Sequence, residues 1–358
     1  MNHPKILIIK TSALGDIIQA FGVLDDLQHR FPQATIDWAV EKSLHSIAAA
    51  HPLVRRAIAL DIKGLKKGWW TLSAWKFLAQ GFRDLRKERY DLIFDLQGNC
   101  KSGVIGLFAK GKVKVGFGRK SVREWPNLMT THLRFEVLRQ MNIRLQYLQL
   151  IQQYFRDANP AELCGVRFKI EENEKAKLAA ILDRPELKSK LKVMVCPGSK
   201  WINKQLPLTT LVSLLQKIEE KLDACFLLVW GVEVERTLCE EVQAQLPKKS
   251  AVIEKLAIPT WQNLMNEVGL VLAVDSSALH LCGTTSTRSF SIFGPTSSAI
   301  FKPLGLHHHA YQGKCPYGRT FDKTCPVIRT CPTGACIRNL SAEEIFHSFV
   351  TWWEKFST

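Results

Sequence analysis

Along this chain, continuous apolar runs of strand length alternate with segments whose apolar residues recur at helical spacing. Residues 5–10 (KILIIK) form such a run, as expected of a parallel strand buried on both faces. In residues 16–31 the apolar positions Ile17, Ile18, Phe21, Leu24 and Leu27 follow a helical period, and Pro32 marks the end. The same reading predicts strands over 35–40, 57–60 and 91–96, and helices over 44–50 and 73–88. After a basic, less regular middle and a break at 158–165, the alternation starts again. Helices are predicted over 171–182, 207–221, 235–245 and 260–267, with a further helix starting at 277 and a closing one over 341–356. Strands are predicted over 192–196, 224–230, 251–253, 271–274 and 289–293. Strands alternating with helices argue for doubly wound parallel sheets. The 358 residues suit two domains better than one. The prediction is an α/β chain of two Rossmann-like domains, 1–165 and 166–340, facing across a central cleft, with 341–358 as a closing helix.

Charge adds a partner class. Lys and Arg number 49 against 33 Asp and Glu, a net +16, and the excess is uneven. Residues 55–89 hold ten basic side chains and three acidic ones, and residues 101–123 hold seven and none. Such a surface suits a polyanion: nucleic acid, anionic lipid or a phosphorylated, carboxylated glycan. Trp69, Trp70, Trp75 and Phe77 lie among these charges, and that mixture favours a lipid–water boundary over a merely solvated face. The basic residues crowd one half while phosphate-type loops occupy the other, and no nucleic-acid motif is present, so no nucleic-acid partner is expected. No apolar run approaches the roughly 18 residues of a membrane span, and residues 1–10 lack a signal-peptide pattern. A cytoplasmic location is expected. Six cysteines are scattered and read as reduced thiols, whereas Cys315, Cys325, Cys331 and Cys336 crowd into 22 residues. Their spacing fits no common zinc finger, though four thiols can hold Zn²⁺.

Three segments can carry chemistry. Residues 10–16 (KTSALGD) join the first strand to the first helix, where free N–H groups and the dipole favour anionic or polar ligands. The P-loop pattern is missing and Gly15 stands alone, so no dinucleotide fingerprint is present either. Asp16 reads equally as the N-cap of that helix or as a carboxylate that accepts a hydroxyl proton. In residues 196–207 (CPGSKWINKQLP), Gly198 and Ser199 suit a tight turn, and Lys200 and Lys204 add charges for phosphates; an ordinary polar loop has the same composition. Residues 275–280 (DSSALH) place Asp275 and Ser276 at a helix start able to hold a pyrophosphate. His280 either faces that ligand or sits in the core, and Phe293-Gly-Pro-Thr296 ends the next strand in a turn that can border the same pocket. No Asp-x-Asp follows a strand as a metal–diphosphate bridge would need, so if a nucleotide diphosphate leaves here, lysine and helix dipoles must neutralise it, which predicts a metal-independent step.

Together, in this order and spacing, the segments resemble the ADP-heptose:lipopolysaccharide heptosyltransferases, most of all the heptosyltransferase I group, over nearly the whole chain. The resemblance implies the two-domain GT-B architecture and Asp16 as general base, with Ser12 and Gly15 beside it on the acceptor side. Residues 91–102 (DLIFDLQGNCKS) resemble the family's Gln-Gly turn and Lys-Ser, which brings in Lys101. Residues 121–124 (SVRE) resemble the segment whose arginine, here Arg123, contacts acceptor Kdo. Lys63, Lys66 and Lys67 match the basic stretch that meets acceptor carboxylates and phosphates. For the donor, the resemblance implies Gly198, Ser199 and Lys204 at the diphosphate, and Glu233 or Glu235 at the ribose. It also implies Leu256 at the adenine, and Asp275, Ser276 and His280 in an Asp-Ser/Thr-Gly-x-x-His signature. Ser277 stands where that signature has glycine, a departure that bears on donor binding.

The activity so implied is inverting transfer of heptose from ADP-L-glycero-β-D-manno-heptose to Kdo on lipid A, with no cofactor and no metal required. The chain would act as a monomer on the anionic inner face of the inner membrane. Heptosyltransferase II or another inner-core transferase is the nearest alternative, and a non-catalytic nucleotide-sugar or polyanion-binding protein is the alternative of another class.

Overall fold

The computed structural model describes residues 3–62, 64, 72–157 and 165–356. Lys63, Lys66, Lys67, Trp69 and Trp70 lie outside the described residues. Internal contacts divide the chain into two units, Met1–Lys169 and Ile170–Thr358.

The first unit is built on six parallel strands: β1 (Lys5–Ile9), β2 (Thr35–Glu41), β3 (Val54–Leu60), β4 (Arg89–Asp95), β5 (Lys110–Phe117) and β6 (Leu133–Phe135). Their order in the sheet is β3-β2-β1-β4-β5-β6. β1 is central, pairing Ile6 with Ile36 on one side and with Leu92 on the other. Helices cover both faces of such a sheet, which is why the run Ile6–Ile9 is apolar without alternation. All four of its side chains are fully buried.

The helix predicted over 16–31 is two helices, Leu14–Ala20 and Gly22–Arg30. The chain tightens between them, the Phe21 N–H reaching back to the Ile18 carbonyl. Phe21 is buried there against Trp38, His51 and Phe168, so packing fixes the joint at no cost to the apolar stripe. Among the described residues, three strands and four α-helices have no counterpart in the sequence reading: β5, β6, β12 (His308–Gln312), Cys100–Phe108, Ile143–Phe155 and the short Ser298–Phe301 and Ala335–Arg338. The first four residues of β5 alternate Lys with Gly or Val, and its burial is only partial until its last three residues. A lysine-rich half-covered strand does not give the apolar run that marks β1.

The second unit repeats the plan with β7 (Leu191–Cys196), β8 (Ala224–Leu228), β9 (Ser250–Val252), β10 (Leu270–Val274), β11 (Arg288–Phe293) and β12, ordered β12-β11-β10-β7-β8-β9. Counted within each unit, both sheets run 3-2-1-4-5-6, the doubly wound dinucleotide-fold order. The helix Ala342–Trp353 belongs to this unit, where Ile345, Phe349 and Trp352 enter the core with Phe290 and Leu214. Among the described residues, no helix is long and apolar enough to cross a membrane.

Candidate active site

In a doubly wound sheet the connections leave in opposite directions at the point where strand order reverses. The carboxyl ends of the two strands there open a crevice lined by loops. The reversal lies between β1 and β4 in the first unit and between β7 and β10 in the second. The loops that follow these four strands carry most of the residues singled out by sequence.

After β1, Asp16 is not the N-cap of its helix. The cap position is Ala13, and Asp16 is the third helical residue, its carboxylate accepting from the Ala13 N–H at 3.3 Å. Its side chain keeps 39% of its exposure and stands 4.0 Å from the Lys10 ammonium, itself buried. Lys10 lies 4.9 Å above the Tyr147 ring. Burial pulls the Lys10 pKa below its ordinary value, Asp16 pulls it back up, and Arg123 adds to the fall. Burial and Asp16 push the Tyr147 phenol well up. Asp16, Arg123, Lys10 and Tyr147 therefore share one electrostatic neighbourhood.

What assembles that neighbourhood is Asp95, which sequence reasoning did not single out. At the end of β4 its buried carboxylate accepts from the N–H groups of Gln97 and Gly98, the Ser102 hydroxyl and the Asn127 amide. Burial pushes its pKa up against these four donors. The turn it holds puts Gly98 at φ +64°, a conformation that favours glycine, and the Gly98 carbonyl accepts from the N–H of Arg123. Gln97 in turn accepts from the N–H groups of Thr11 and Ser12, both at 3.2 Å. One buried acid thus ties the Ser12–Asp16 loop to Arg123. Gly15 lies within the first turn of Leu14–Ala20. Lys101 stands exposed on the first turn of Cys100–Phe108, its charge felt at Glu124.

The second unit gathers its loops around Asp275, the first residue after β10. Lys204 donates to its Oδ2 at 2.6 Å, as does the Thr296 hydroxyl, and His280 Nε2 lies 3.7 Å from Oδ1. Burial would raise the Asp275 pKa, but the charges of Lys204 and His280 and the hydrogen bonds from Lys204 and Thr296 outweigh it and hold it low. His280 is buried, with Nε2 turned toward the acid. The buried Ser199 hydroxyl donates to the Asp275 carbonyl at 3.4 Å. Ser276 caps the short helix Ser277–Cys282 by position, and its hydroxyl oxygen is buried with no hydrogen-bond partner among the described residues. Ser277, in glycine's place, is the first residue of that helix.

The two glutamates differ. Glu233 is 70% exposed beside Arg236. Glu235 turns inward, where its Oε2 accepts from the Gly231 N–H at 2.8 Å, and its carboxylate fills the space a side chain at Gly198 would need. Leu256 is buried after β9, and the Trp230 indole donates to the Ile253 carbonyl beside it. Among the described residues, no group of three or more His, Cys, Asp or Glu is gathered as a metal-ligand set.

The glycosyltransferase family 9 (heptosyltransferase) model matches residues 79–329, more than half of the chain. The chain belongs to this family. Lipopolysaccharide heptosyltransferase 1 of Pseudomonas aeruginosa is 26% identical over 324 residues, which cover 90% of this chain and 87% of that protein. Its namesake from Campylobacter coli is 27% identical over 302 residues, 82% of this chain and 85% of that one. Among solved structures, the E. coli heptosyltransferase WaaC with ADP superposes with a TM-score of 0.76 at 18% identity, covering 97% of this chain and 99% of the other. The two parallel six-stranded sheets are those of the GT-B heptosyltransferase fold. As a family 9 member the chain is a glycosyltransferase.

Proposed function

We propose that this glycosyltransferase moves heptose from ADP-L-glycero-β-D-manno-heptose to a Kdo hydroxyl of a lipid A-linked acceptor. Transfer is inverting and needs no metal ion at the leaving diphosphate. The observation that carries this reading is the pair of polar clusters at the two sheet reversals. One holds an accessible carboxylate beside Lys10, a lysine that also feels the charge of Arg123; the other holds a buried Lys204–Asp275 pair beside the Ser276 hydroxyl, which has no hydrogen-bond partner among the described residues. The lipopolysaccharide heptosyltransferase 1 relatives and the ADP in the similar E. coli structure support the choice of sugar and nucleotide.

In the first unit, Asp16 takes the proton of the acceptor hydroxyl as its oxygen attacks the anomeric carbon. Arg123, Lys101 and the loop at Ser12 and Gly15 hold the acceptor's anionic groups, with Lys63, Lys66 and Lys67 extending that contact. In the second unit the bond from the anomeric carbon to the diphosphate breaks on the face opposite the attack, and ADP leaves. Lys204, the backbone around Gly198 and Ser199, and the hydroxyls of Ser276 and Ser277 receive the diphosphate charge, which fixed donors stabilise as it develops. Asp275 is a positioning residue here: it aims Lys204 and His280, and its own charge is already answered. Of the two glutamates, Glu235 holds the ribose, because its Oε2 is anchored at Gly231 while its other oxygen faces the Gly198 turn. Leu256 lines the adenine. The basic, tryptophan-bearing stretch brings the chain as a monomer to the cytoplasmic face of an anionic membrane.

The test is direct: purified chain, ADP-heptose and Kdo-lipid A, without added Mg²⁺ or Mn²⁺, read by mass spectrometry. One heptose added with release of ADP is expected. Elongation of an already heptosylated acceptor alone would move the chain to the heptosyltransferase II group. Donor binding without transfer to either acceptor would leave a nucleotide-sugar binder.

A further inference from the structure

Cys315, Cys325, Cys331 and Cys336 take no part in the reaction just described, yet the fold brings all four to one cavity of about 30 Å³. They arrive from three separate turns, and all four are free thiols. Two of the turns share one design. Cys315-Pro-Tyr-Gly318 and Cys331-Pro-Thr-Gly334 each end on a glycine in the left-handed region, at φ +70° and +57°. In the second turn the Gly334 N–H donates to the Cys331 sulfur at 3.4 Å, with the Thr333 hydroxyl 3.8 Å away. In the first, the Gly318 N–H closes on the Cys315 carbonyl. Amide N–H groups aimed at sulfur favour thiolate over thiol, and outer hydrogen bonds of this kind orient metal-binding sulfurs. Phe321 and Val327 shield the cavity and Arg319 lines it as well, so a positive charge stands near what four thiolates would make negative.

The same module is bolted to the Asp275 cluster at two places. Asn203, next to Lys204, donates to the carbonyls of Ile328 and Cys331 at 3.0 and 2.9 Å. On the other side the Cys325 N–H donates to the Pro295 carbonyl at 2.8 Å, and Thr296 bridges to Thr324. Asn203 adjoins Lys204 and Pro295 adjoins Thr296, and Lys204 and Thr296 are the two groups that grip Asp275 Oδ2.

We propose that Cys315, Cys325, Cys331 and Cys336 form a tetrathiolate site for one structural divalent ion, Zn²⁺ or Fe²⁺, which braces the loops carrying Lys204 and Thr296. Four sulfurs select these thiophilic ions over Mg²⁺ or Ca²⁺. As the side chains lie they surround the cavity without meeting at coordination distance, so the ion draws the turns together when it binds. Hydrogen-bonded links to Asn203 and Pro295 then pass that rigidity on. The ion site stands independently of the proposed reaction; only its effect on transfer rests on that reading.

Full-length chain should be purified under reducing, anaerobic conditions from cells supplied with zinc and iron, then assayed by elemental mass spectrometry. About one ion per chain is expected, with visible thiolate-to-iron absorption if the ion is iron and none if it is zinc. Cys331→Ser and Cys336→Ser should lose the ion, Cys100→Ser should keep it, and a strong chelator should lower the wild-type melting temperature. If a cysteine variant fails to fold, the wild-type metal content and its chelator response still decide. Near-zero metal in the folded wild type, retention of the metal by both variants, or two disulfides among the four cysteines under these conditions would each overturn the proposal. Metal present with no heptose transfer would leave the ion site standing and count only against the proposed activity.

Discussion

Asp275 is where single side chains decide most. A carboxylate whose folded pKa is depressed contributes stability above its unfolded value, about 3.9, and loses it as pH falls through the folded value. Burial works against Asp275, and Lys204, His280 and Thr296 more than offset it. Urea unfolding of wild type should therefore lose stability as pH falls below about 4, and Asp275→Asn should flatten that slope; equal slopes would contradict the assignment. Lys204→Met leaves the buried acid without its cation, and breaking such a pair costs about 3–5 kcal/mol, toward the lower end here because Thr296 still donates. Calorimetry should show the same variant losing ADP affinity. These residues were legible as a motif, but the roles were not. Sequence left Asp16 open between an N-cap, a position that Ala13 in fact occupies, and a proton acceptor, and it left Glu233 and Glu235 undivided, because a choice between neighbours two positions apart depends on which face of the helix meets Gly198.

At the scale of elements, the strands that were easiest to find were those buried on both faces, β1, β4, β7 and β10, and these are the strands whose ends carry the two clusters. β5 and β12 escaped because one is lysine-rich and the other, HHAYQ, is a polar edge strand. Asp95 escaped for a different cause: an acid ending an apolar run looks like a strand terminus until its four donors are known. Asp95→Ala should leave the Gln97 and Gly98 N–H groups without this acceptor, at about 1–3 kcal/mol for each that water cannot reach, while Ser102 and Asn127 still reach the Asn99 carbonyl. The melting temperature should fall and KM for the acceptor should rise, with KM for the donor nearly unchanged. A donor-side effect instead would mean that Asp95 does not organise the acceptor loops. In the second unit, Gly198→Ala would drive a methyl group into the Glu235 carboxylate. Overpacking of about 1–3 kcal/mol is expected, together with a raised donor KM.

For the whole molecule, the net charge of +16 is what is left after every Asp and Glu has been counted, so internal pairs such as those of Arg55 and Arg56 with the buried Asp37 do not reduce it. That excess should bind anionic vesicles, and binding should weaken steeply as ionic strength rises toward 1 M, where screening acts within about 3 Å. Flotation that ignores salt would argue against an electrostatic membrane contact. The order of strands is the same in both units, a polar cluster lies at each reversal, and in the proposed reaction each cluster serves a different half. Asp16→Asn tests that division most directly, because asparagine keeps an oxygen for the Ala13 N–H while giving up the base. Heptose transfer should fall by about 10²–10⁴-fold, with the melting temperature and ADP-heptose affinity close to wild type. Transfer at the wild-type rate would contradict the account.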